Sequence, residues 1–346
     1  MTTWSHELLI PRELAGARLD VALSSLMPDL SRSQAARLVE DGRVMVENVG
    51  TVRTSYKVRA EQRVVVMLPE PHVLVALPEA IDLSIVYEDE RLVVIDKPAG
   101  MVVHPAAGHP SGTLVNAALH RFGPLPSLSG ALRSGIAHRL DKETSGLIII
   151  ARTDTVLVAL QRQFKTRTVE KEYLTLVRGR LASAGSMNQP IGRDPKNRKR
   201  MAVTADGRAS LTDFTLLSQY RGFALARVIP RTGRTHQIRV HMATNGTPVA
   251  GDRLYGGGSS LGLTRQFLHA RRLAFDLPGT DDRLVCTSAV PALLLEALKV
   301  AGDPDPWRWS GATGYQLEAA KLPADRSSKP DAHLIESAEH DAEDDW

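Results

Sequence analysis

Apolar positions along the chain follow two patterns, one on either side of a proline-marked stretch. From 17 to 68 they make a small unit that begins helical. Leu19, Leu23 and Leu26 recur at i, i+4 and i+7, a stripe that Pro28 stops. Ser31, with Gln34 three residues on, reads as a capping box opening a second helix. Ala35, Leu38 and Val39 give that helix its buried face, and Gly42 fits its C-terminal cap. Val44 and Val46 then alternate as a strand, and Arg63–Leu68 reads as another. Residues 69–83 contain Pro69, Pro71 and Pro78 and suit a connecting segment.

From about Ile85 strands and helices mix without a regular βαβ series or an internal repeat. Leu92 to Ile95 is a short buried strand running into Lys97-Pro98-Ala99-Gly100, and Leu147 to Ala151 is an apolar run of strand length. Asp154 suits the cap of a helix in which Leu157, Leu160 and Phe164 share a face. Leu174 and Leu176 alternate with Thr175 and Val177 as a half-buried strand, and Thr235 suits the cap of a helix ending near Gly246. The order predicts an α+β fold. Its domains are a small unit at 12–75, a linker at 76–84, a larger domain at 85–302 and a polar, then acidic, tail at 322–346 that is expected to be disordered.

Composition adds exclusions. With 43% hydrophobic and 24% charged residues the 346-residue chain is ordinary for a soluble protein. No apolar run reaches the ~18 residues of a membrane span, and Met1 to Ile10 lacks the basic-then-apolar order of a signal peptide. The single cysteine, Cys286, lies in an apolar stretch and reads as a core thiol, which leaves no internal disulfide and argues against a cysteine-built metal site. A reducing, cytoplasmic setting is expected. Charge is uneven. Asp331 to Trp346 carries seven acids and no Lys or Arg, and without them 43 basic side chains face 32 acidic ones. A body that basic suggests a polyanionic partner.

The strongest candidate chemistry is His138-Arg139-Leu140-Asp141-Lys142-Glu143-Thr144-Ser145-Gly146, a polar stretch just before the apolar strand at 147–151. A loop at a strand edge holds reactive groups rigidly, and Arg139 and Lys142 favour the ionised form of Asp141. An ionised carboxylate serves as nucleophile or base; the same residues also fit a salt-bridged surface loop. Arg193, Lys196, Arg198, Lys199 and Arg200 form a basic run suited to phosphate or to plain solvation. His236 and His241 do not match the H-E-x-x-H zinc spacing, and Gly256-Gly257-Gly258 is no nucleotide fingerprint, so neither metal nor cofactor is expected.

The stretch from His138 to Gly146 resembles the signature of the RluA family of pseudouridine synthases. Two further segments fit that family in the same order: Lys97-Pro98-Ala99-Gly100, and Arg231-Thr232-Gly233-Arg234-Thr235-His236-Gln237-Ile238-Arg239. Flanking text agrees, including Val86 to Glu90, Met101 to Pro105 and Gly251 to Gly257, and the likeness runs over roughly residues 12 to 300. The unit at 17–68 resembles an S4 module, a small RNA-binding fold, with Arg32 and Arg37 as its candidate RNA contacts. Arg18-Leu19-Asp20 repeats the letters RLD, but it lacks the preceding His and the following Thr-Ser-Gly.

The resemblance implies a catalytic domain on a mixed, mostly antiparallel sheet with flanking helices. It implies isomerisation of uridine to pseudouridine in structured RNA with Asp141 at its centre and no cofactor. It implies that Arg234 pairs with that carboxylate and that Tyr173 packs on the target uracil, its phenol also serving to take a proton from the ribose. Ile238 would line the base pocket, Arg139 would fill the space of the extruded nucleotide, and Lys97, Arg198, Lys199 and Arg200 would contact RNA. Taken without the resemblance, Tyr173 also fits an edge-strand packing role and Arg234 a phosphate contact. The expected partner is large-subunit ribosomal RNA or its precursor particle, with no membrane and a monomeric enzyme. Transfer RNA as target, a non-catalytic S4-type assembly factor, and a hydrolase using Asp141 with His138 are the alternatives.

Overall fold

The computed structural model describes residues 4–28, 30–68, 76–106, 108–126, 134–197 and 200–319. Pro69, Pro71, Arg198, Lys199 and the tail at 322–346 lie outside the described residues. The chain divides into two units, Met1–Val73 and Leu74–Trp346.

In the first unit β1 (Trp4–Leu9) is followed by α1 (Leu19–Leu26), α2 (Arg32–Glu40), β2 (Val44–Val46), β3 (Gly50–Thr51) and β4 (Arg63–Leu68). The strands form an antiparallel sheet in the order β1-β4-β2-β3. Ser31 and Gln34 make the capping box, which satisfies otherwise orphaned N–H groups at the start of α2. Leu19, Leu23, Ala35, Leu38 and Val39 turn inward onto Val44, Val46, Val64 and Val66. Asp20, the aspartate of the stray RLD, is buried. It accepts from Arg18 Nε at 2.9 Å and Arg32 Nε at 3.1 Å, tying the two helices together. Arg32 therefore has a structural partner, while the rest of its guanidinium and Arg37 stay exposed.

The second unit is built on one large sheet. Its elements in chain order are β5 (Ile85–Glu88), β6 (Leu92–Lys97), α3 (Leu114–Phe122), β7 (Ser145–Ala151), α4 (Asp154–Lys165), β8 (Glu170–Arg178), β9 (Ala184–Met187), β10 (Ile191–Arg193), β11 (Met201–Val203), β12 (Thr212–Tyr220), β13 (Phe223–Pro230), α5 (Gln237–Thr244), β14 (Leu268–Asp276), β15 (Asp282–Thr287), α6 (Ala292–Ala301) and β16 (Gly314–Ala319). The sheet runs β5-β6-β7-β14-β8-β13-β12-β9, and β10 and β11 form a separate hairpin. Among the described strand pairs only β7 with β14 is parallel. The sheet forks at β14: Leu268 to Ala274 pair with β8 on one side, while the other side meets β7 at His269 and Ala270 and β15 from Arg272 onward. The arrangement is an α+β fold on a mixed, mostly antiparallel sheet. No described helix is long and apolar enough to cross a membrane.

Several elements differ from the sequence reading for physical reasons. Residues 76–84 are not a free linker. Ala76 enters the core beside Val93 and Leu114, Asn116 Nδ2 donates to the Leu77 carbonyl at 2.7 Å, and the Glu79 carboxylate accepts from Gly112 N–H. The larger unit also continues past 302, because β16 pairs with β15. Strand β8 is buried on both faces at 174–177, since it lies centrally between β14 and β13, and the Thr175 hydroxyl donates to the Phe267 carbonyl at 2.9 Å. Helix α4 is capped by Thr153, with Asp154 its first residue. Helix α5 starts after His236, whose φ of 57° is left-handed, and not after Thr235. Cys286 is a fully buried core thiol, its pKa pushed up to about 12 by burial.

Candidate active site

Strand β7 is apolar because it lies buried in the sheet, and the polar loop before it is thereby fixed at the strand's end. Thr144 N–H closes a turn onto the Asp141 carbonyl at 3.0 Å. Two buried cations grip the following backbone. Lys97 Nζ donates to the carbonyls of Pro98, Met101 and Lys142 at 2.7, 3.0 and 3.2 Å. Arg265 donates to the Glu143 carbonyl at 3.1 Å and to Ser145 Oγ at 3.0 Å. Gly146 then passes so close to β14 that an added Cβ would lie 2.2 Å from the Ala270 carbonyl oxygen, and its φ of +115° is itself unsuited to a side chain.

Lys97 was expected to contact RNA. It is instead fully buried, and its ammonium spends its three protons on backbone, so its place is beneath the loop that carries Asp141. Burial, and then the charge of Arg265, pushes its pKa down to about 8. His138 is pinned in a different direction. Its Nε2 accepts from Ile149 N–H at 3.0 Å and its ring stacks on Phe164 at 4.7 Å. Burial pushes its pKa down to about 3, so it is neutral and already engaged. That removes the base which the hydrolase alternative required.

Asp141 faces α5. Arg239 Nη1 donates to Asp141 Oδ2 at 3.1 Å, while Nε and Nη2 of the same guanidinium fork onto Asp252 at 2.6 and 3.0 Å. His236 Nε2 stands 3.9 Å from the same Oδ2. Oδ1 carries no polar partner among the described residues. The arginine expected on this carboxylate was Arg234, and the structure replaces it with Arg239. Arg234 belongs to the turn before the helix, where its Nε donates to the Ala209 carbonyl at 3.3 Å. Arg239 lies inside the first turn of α5, on a helix whose residues from 237 to 242 are all buried. Burial opposes its charge, but Asp252 and Asp141 outweigh that and hold its pKa above the ordinary value.

Asp252 is itself fully enclosed and accepts further from Leu254 and Tyr255 N–H groups. The chain reaches it through a tight loop: a Cβ on Gly257 would lie 1.8 Å from the Val249 carbonyl oxygen. Tyr255 places its ring 5.0 Å from the Arg239 guanidinium. None of Arg239, Asp252 or Tyr255 was singled out by the sequence reading. The available signal was an arginine at the end of the Arg231 to Arg239 motif and an acid in the Gly251 to Gly257 segment, two charges that a buried helix must pair.

Tyr173 lies on β8 opposite Val228 and Ala270, packed against two cores at once. Burial, and then the charge of Asp141, raises its phenol pKa and keeps it protonated. Ile238 is nearly buried on α5, in the same core as Leu174. Arg139 is exposed beside Asp141. Arg200 is half-exposed on the β10–β11 hairpin, where its Nε pairs with Asp194 at 2.6 Å; its neighbours Arg198 and Lys199 lie outside the described residues. No group of three or more potential metal ligands occurs among the described residues.

The RNA pseudouridylate synthase family profile matches residues 91–244, and the S4 domain profile matches residues 17–64. An uncharacterized RNA pseudouridine synthase, YlyB, of Bacillus subtilis is 41% identical over 300 residues, which is 86% of this chain and 99% of the relative. Proteins named ribosomal large subunit pseudouridine synthase D are similar too. That of Xanthomonas campestris is 40% identical, covering 83% of this chain and 89% of its own length. That of Pseudomonas aeruginosa is 40% identical, covering 82% and 91%. Among solved structures, human RNA pseudouridylate synthase domain containing 1 superposes with a TM-score of 0.50 at 24% identity over 75% of this chain and 96% of that one, a likeness of fold.

Proposed function

The chain belongs to the RNA pseudouridine synthase family of isomerases, and from that premise we propose that it converts specific uridines of large-subunit ribosomal RNA to pseudouridine with Asp141 as the catalytic residue. The observation that carries the assignment is the asymmetric hold on that carboxylate: Oδ2 is taken by Arg239, and Oδ1 has no polar partner among the described residues. The ribosomal target is supported by what the similar synthases are named for and by the S4 match at the N-terminus. Such a substrate fits a cytoplasmic enzyme, acting as a monomer on the RNA or its precursor particle.

The reaction breaks the bond from ribose C1′ to uracil N1, turns the base, and joins C5 to C1′. The proton on C5 is lost and N1 ends protonated, so atoms and electrons balance without a co-substrate. A stacked uridine hides C1′, so the nucleotide leaves its stack first, and exposed Arg139 fills the space it vacates. Asp141 Oδ1 meets the sugar as nucleophile or as base. Arg239 Nη1 holds Oδ2 and so keeps the carboxylate aimed. Tyr173 and Ile238 bracket the uracil, which aromatic and apolar faces hold by stacking. Because burial keeps the Tyr173 phenol protonated, its ring and O–H donor are the parts ready for use. Arg32, Arg37 and Arg200 supply phosphate contacts.

Asp141→Asn tests the reading. It keeps the shape and removes the nucleophile, so the variant is expected to fold normally and to bind RNA within about tenfold of the parent, since phosphate contacts dominate affinity. It should release no tritium from RNA labelled at uracil C5. Normal release by the variant would refute the role of Asp141. Pseudouridine mapping in cells with and without the gene decides the target. A lost site in large-subunit RNA supports the proposal, and a loss confined to transfer RNA replaces it.

A further inference from the structure

A chain of hydrogen bonds links the β10–β11 hairpin to the catalytic carboxylate through two residues that the reaction scheme above does not use. Met201 N–H, at the start of β11, donates to the Tyr255 hydroxyl oxygen at 2.9 Å. The same hydroxyl lies 2.9 Å from His236 Nδ1. The far nitrogen of that imidazole, Nε2, stands 3.9 Å from Asp141 Oδ2. The rings of His236 and Tyr255 meet edge to face at 5.6 Å, which fixes the plane of the imidazole.

Proton placement follows from the donor inventory. The Tyr255 oxygen already accepts from the backbone, and its one proton points to the remaining neighbour, Nδ1. Nδ1 is then an acceptor, and the ring proton resides on Nε2, facing Asp141. Tyr255 and Asp141 lie on opposite sides of the imidazole, and Arg239, Asp252 and Arg139 are the other charges acting on it. Burial lowers the pKa of His236, so the ring is neutral, with one tautomer selected by one hydroxyl. The backbone at His236 is left-handed, a conformation rarely adopted by a non-glycine residue.

We infer that Tyr255 and His236 are a positioning pair for the isomerisation: Tyr255 fixes His236 as the Nε2–H tautomer, and His236 presents that N–H to Asp141 Oδ2, leaving Oδ1 alone to meet the ribose. This rests on the assignment of Asp141 above and extends it to residues that act through the carboxylate.

Two measurements test the pair. The first is independent of activity. In full-length protein labelled with nitrogen-15 histidine, the His236 ring is expected as a single Nε2–H tautomer at neutral pH, becoming a mixture in Tyr255→Phe, which keeps the ring beneath Arg239 and removes only the hydroxyl. An Nδ1–H tautomer in the parent, or no change in Tyr255→Phe, overturns the inference, whatever the enzyme's activity. The second separates positioning from packing. His236→Asn tolerates the left-handed backbone but is too short to reach Oδ2, while His236→Gln carries an N–H at the place of Nε2. On ribosomal RNA fragments the Asn variant is expected to lose about tenfold in kcat with KM unchanged, and the Gln variant to recover most of it at equal melting temperature. Equal rates for the parent and both variants, or a defect confined to KM, overturn it. An Asp141→Asn variant that stays active fails the earlier assignment instead, and the two failures are read from different proteins.

Discussion

Replacing Lys97 with methionine preserves the side-chain length and deletes a buried ammonium whose three protons meet three carbonyls, at 2.7, 3.0 and 3.2 Å. Hydrogen bonds from a charged donor contribute ~1.5–3 kcal/mol each, so the gross loss is about 4–9 kcal/mol. Against this stands the cost of keeping the charge out of water. Burial, with the charge of Arg265 second, takes the pKa from 10.5 to about 8, which corresponds to ~3 kcal/mol that the methionine no longer bears. The net is a destabilisation of about 1–6 kcal/mol, each kcal/mol lowering the melting temperature by roughly 2–4 °C for a domain of this size. Turnover falls as well, by about tenfold, because one of the carbonyls belongs to Lys142, next to Asp141. Two opposed pH effects identify the ammonium. Neutral Lys97 has two protons for three acceptors, so kcat develops an alkaline limb near pH 8 that is missing from Lys97→Met. Stability moves the other way. The folded pKa is below the unfolded one, so between about pH 8 and 10.5 the unfolded chain binds the extra proton, and this group's contribution to stability rises with pH. Thermal melts and single-turnover tritium release across that range read both. Melting and a pH–rate profile identical to the parent's would refute the view that Lys97 holds the catalytic turn.

Arg239→Lys should lower single-turnover rate about a hundredfold with little change in RNA affinity, because a point ammonium cannot fork onto Asp252 and still reach Asp141; Arg234→Ala should do the reverse, and exchanged phenotypes would restore Arg234 as the partner of the carboxylate. Asp252→Asn frees the Arg239 fork to swing onto both oxygens of Asp141, so kcat is expected to drop at least tenfold while circular dichroism and RNA affinity stay near the parent's; unchanged kcat would show that Asp252 does not restrain the guanidinium. Deleting residues 1–73 should leave the larger unit folded on its own cores and weaken binding to full-length ribosomal RNA by tenfold or more, with a shallower salt slope in a filter-binding titration; full affinity in the truncated protein would remove the S4 unit from recognition.

Local signals were legible where one residue decides its own conformation. The Ser31–Gln34 capping box, the valine alternation at 44 and 46 and the apolar run at 147–151 are formed as read, since each depends on near neighbours. The polar loop ending in Gly146 was legible as a candidate site, and the structure supplies the reason for its glycine in the approach of Ala270. What could not be read depends on partners remote in the chain. Lys97 read as an RNA contact because a sequence shows a lysine's charge but not three carbonyls closing over it. Arg239 was passed over for Arg234, five residues earlier, because choosing between them requires knowing that α5 begins after His236 and that Asp252 waits beneath it. The expected linker at 76–84 carried a proline, but no local pattern reveals that Asn116 would capture the Leu77 carbonyl.

Under the proposed chemistry, the division of the Arg239 guanidinium between two carboxylates explains how a buried arginine can hold Asp141 without occupying both of its oxygens. A bidentate fork is the strongest way an arginine binds a carboxylate, and it engages both oxygens. Spent on Asp141, it would stabilise the ground state and leave no oxygen free for the sugar. The fork is instead given to Asp252, which is buried, backbone-capped by Leu254 and Tyr255, and out of the reaction. The remaining Nη1 reaches Asp141 with a single bond to Oδ2. Asp252 thus fixes the cation, the cation fixes one oxygen of Asp141, and the other oxygen keeps its lone pairs. The backbone of the same turn is held from beneath by Lys97 and Arg265, which act on carbonyls and leave the carboxylate alone. With three cations committed to separate sets of acceptors, the loop is held from several sides while Asp141 Oδ1 has no polar partner among the described residues, which is what the proposed chemistry asks of a nucleophile or base that must meet its substrate already oriented.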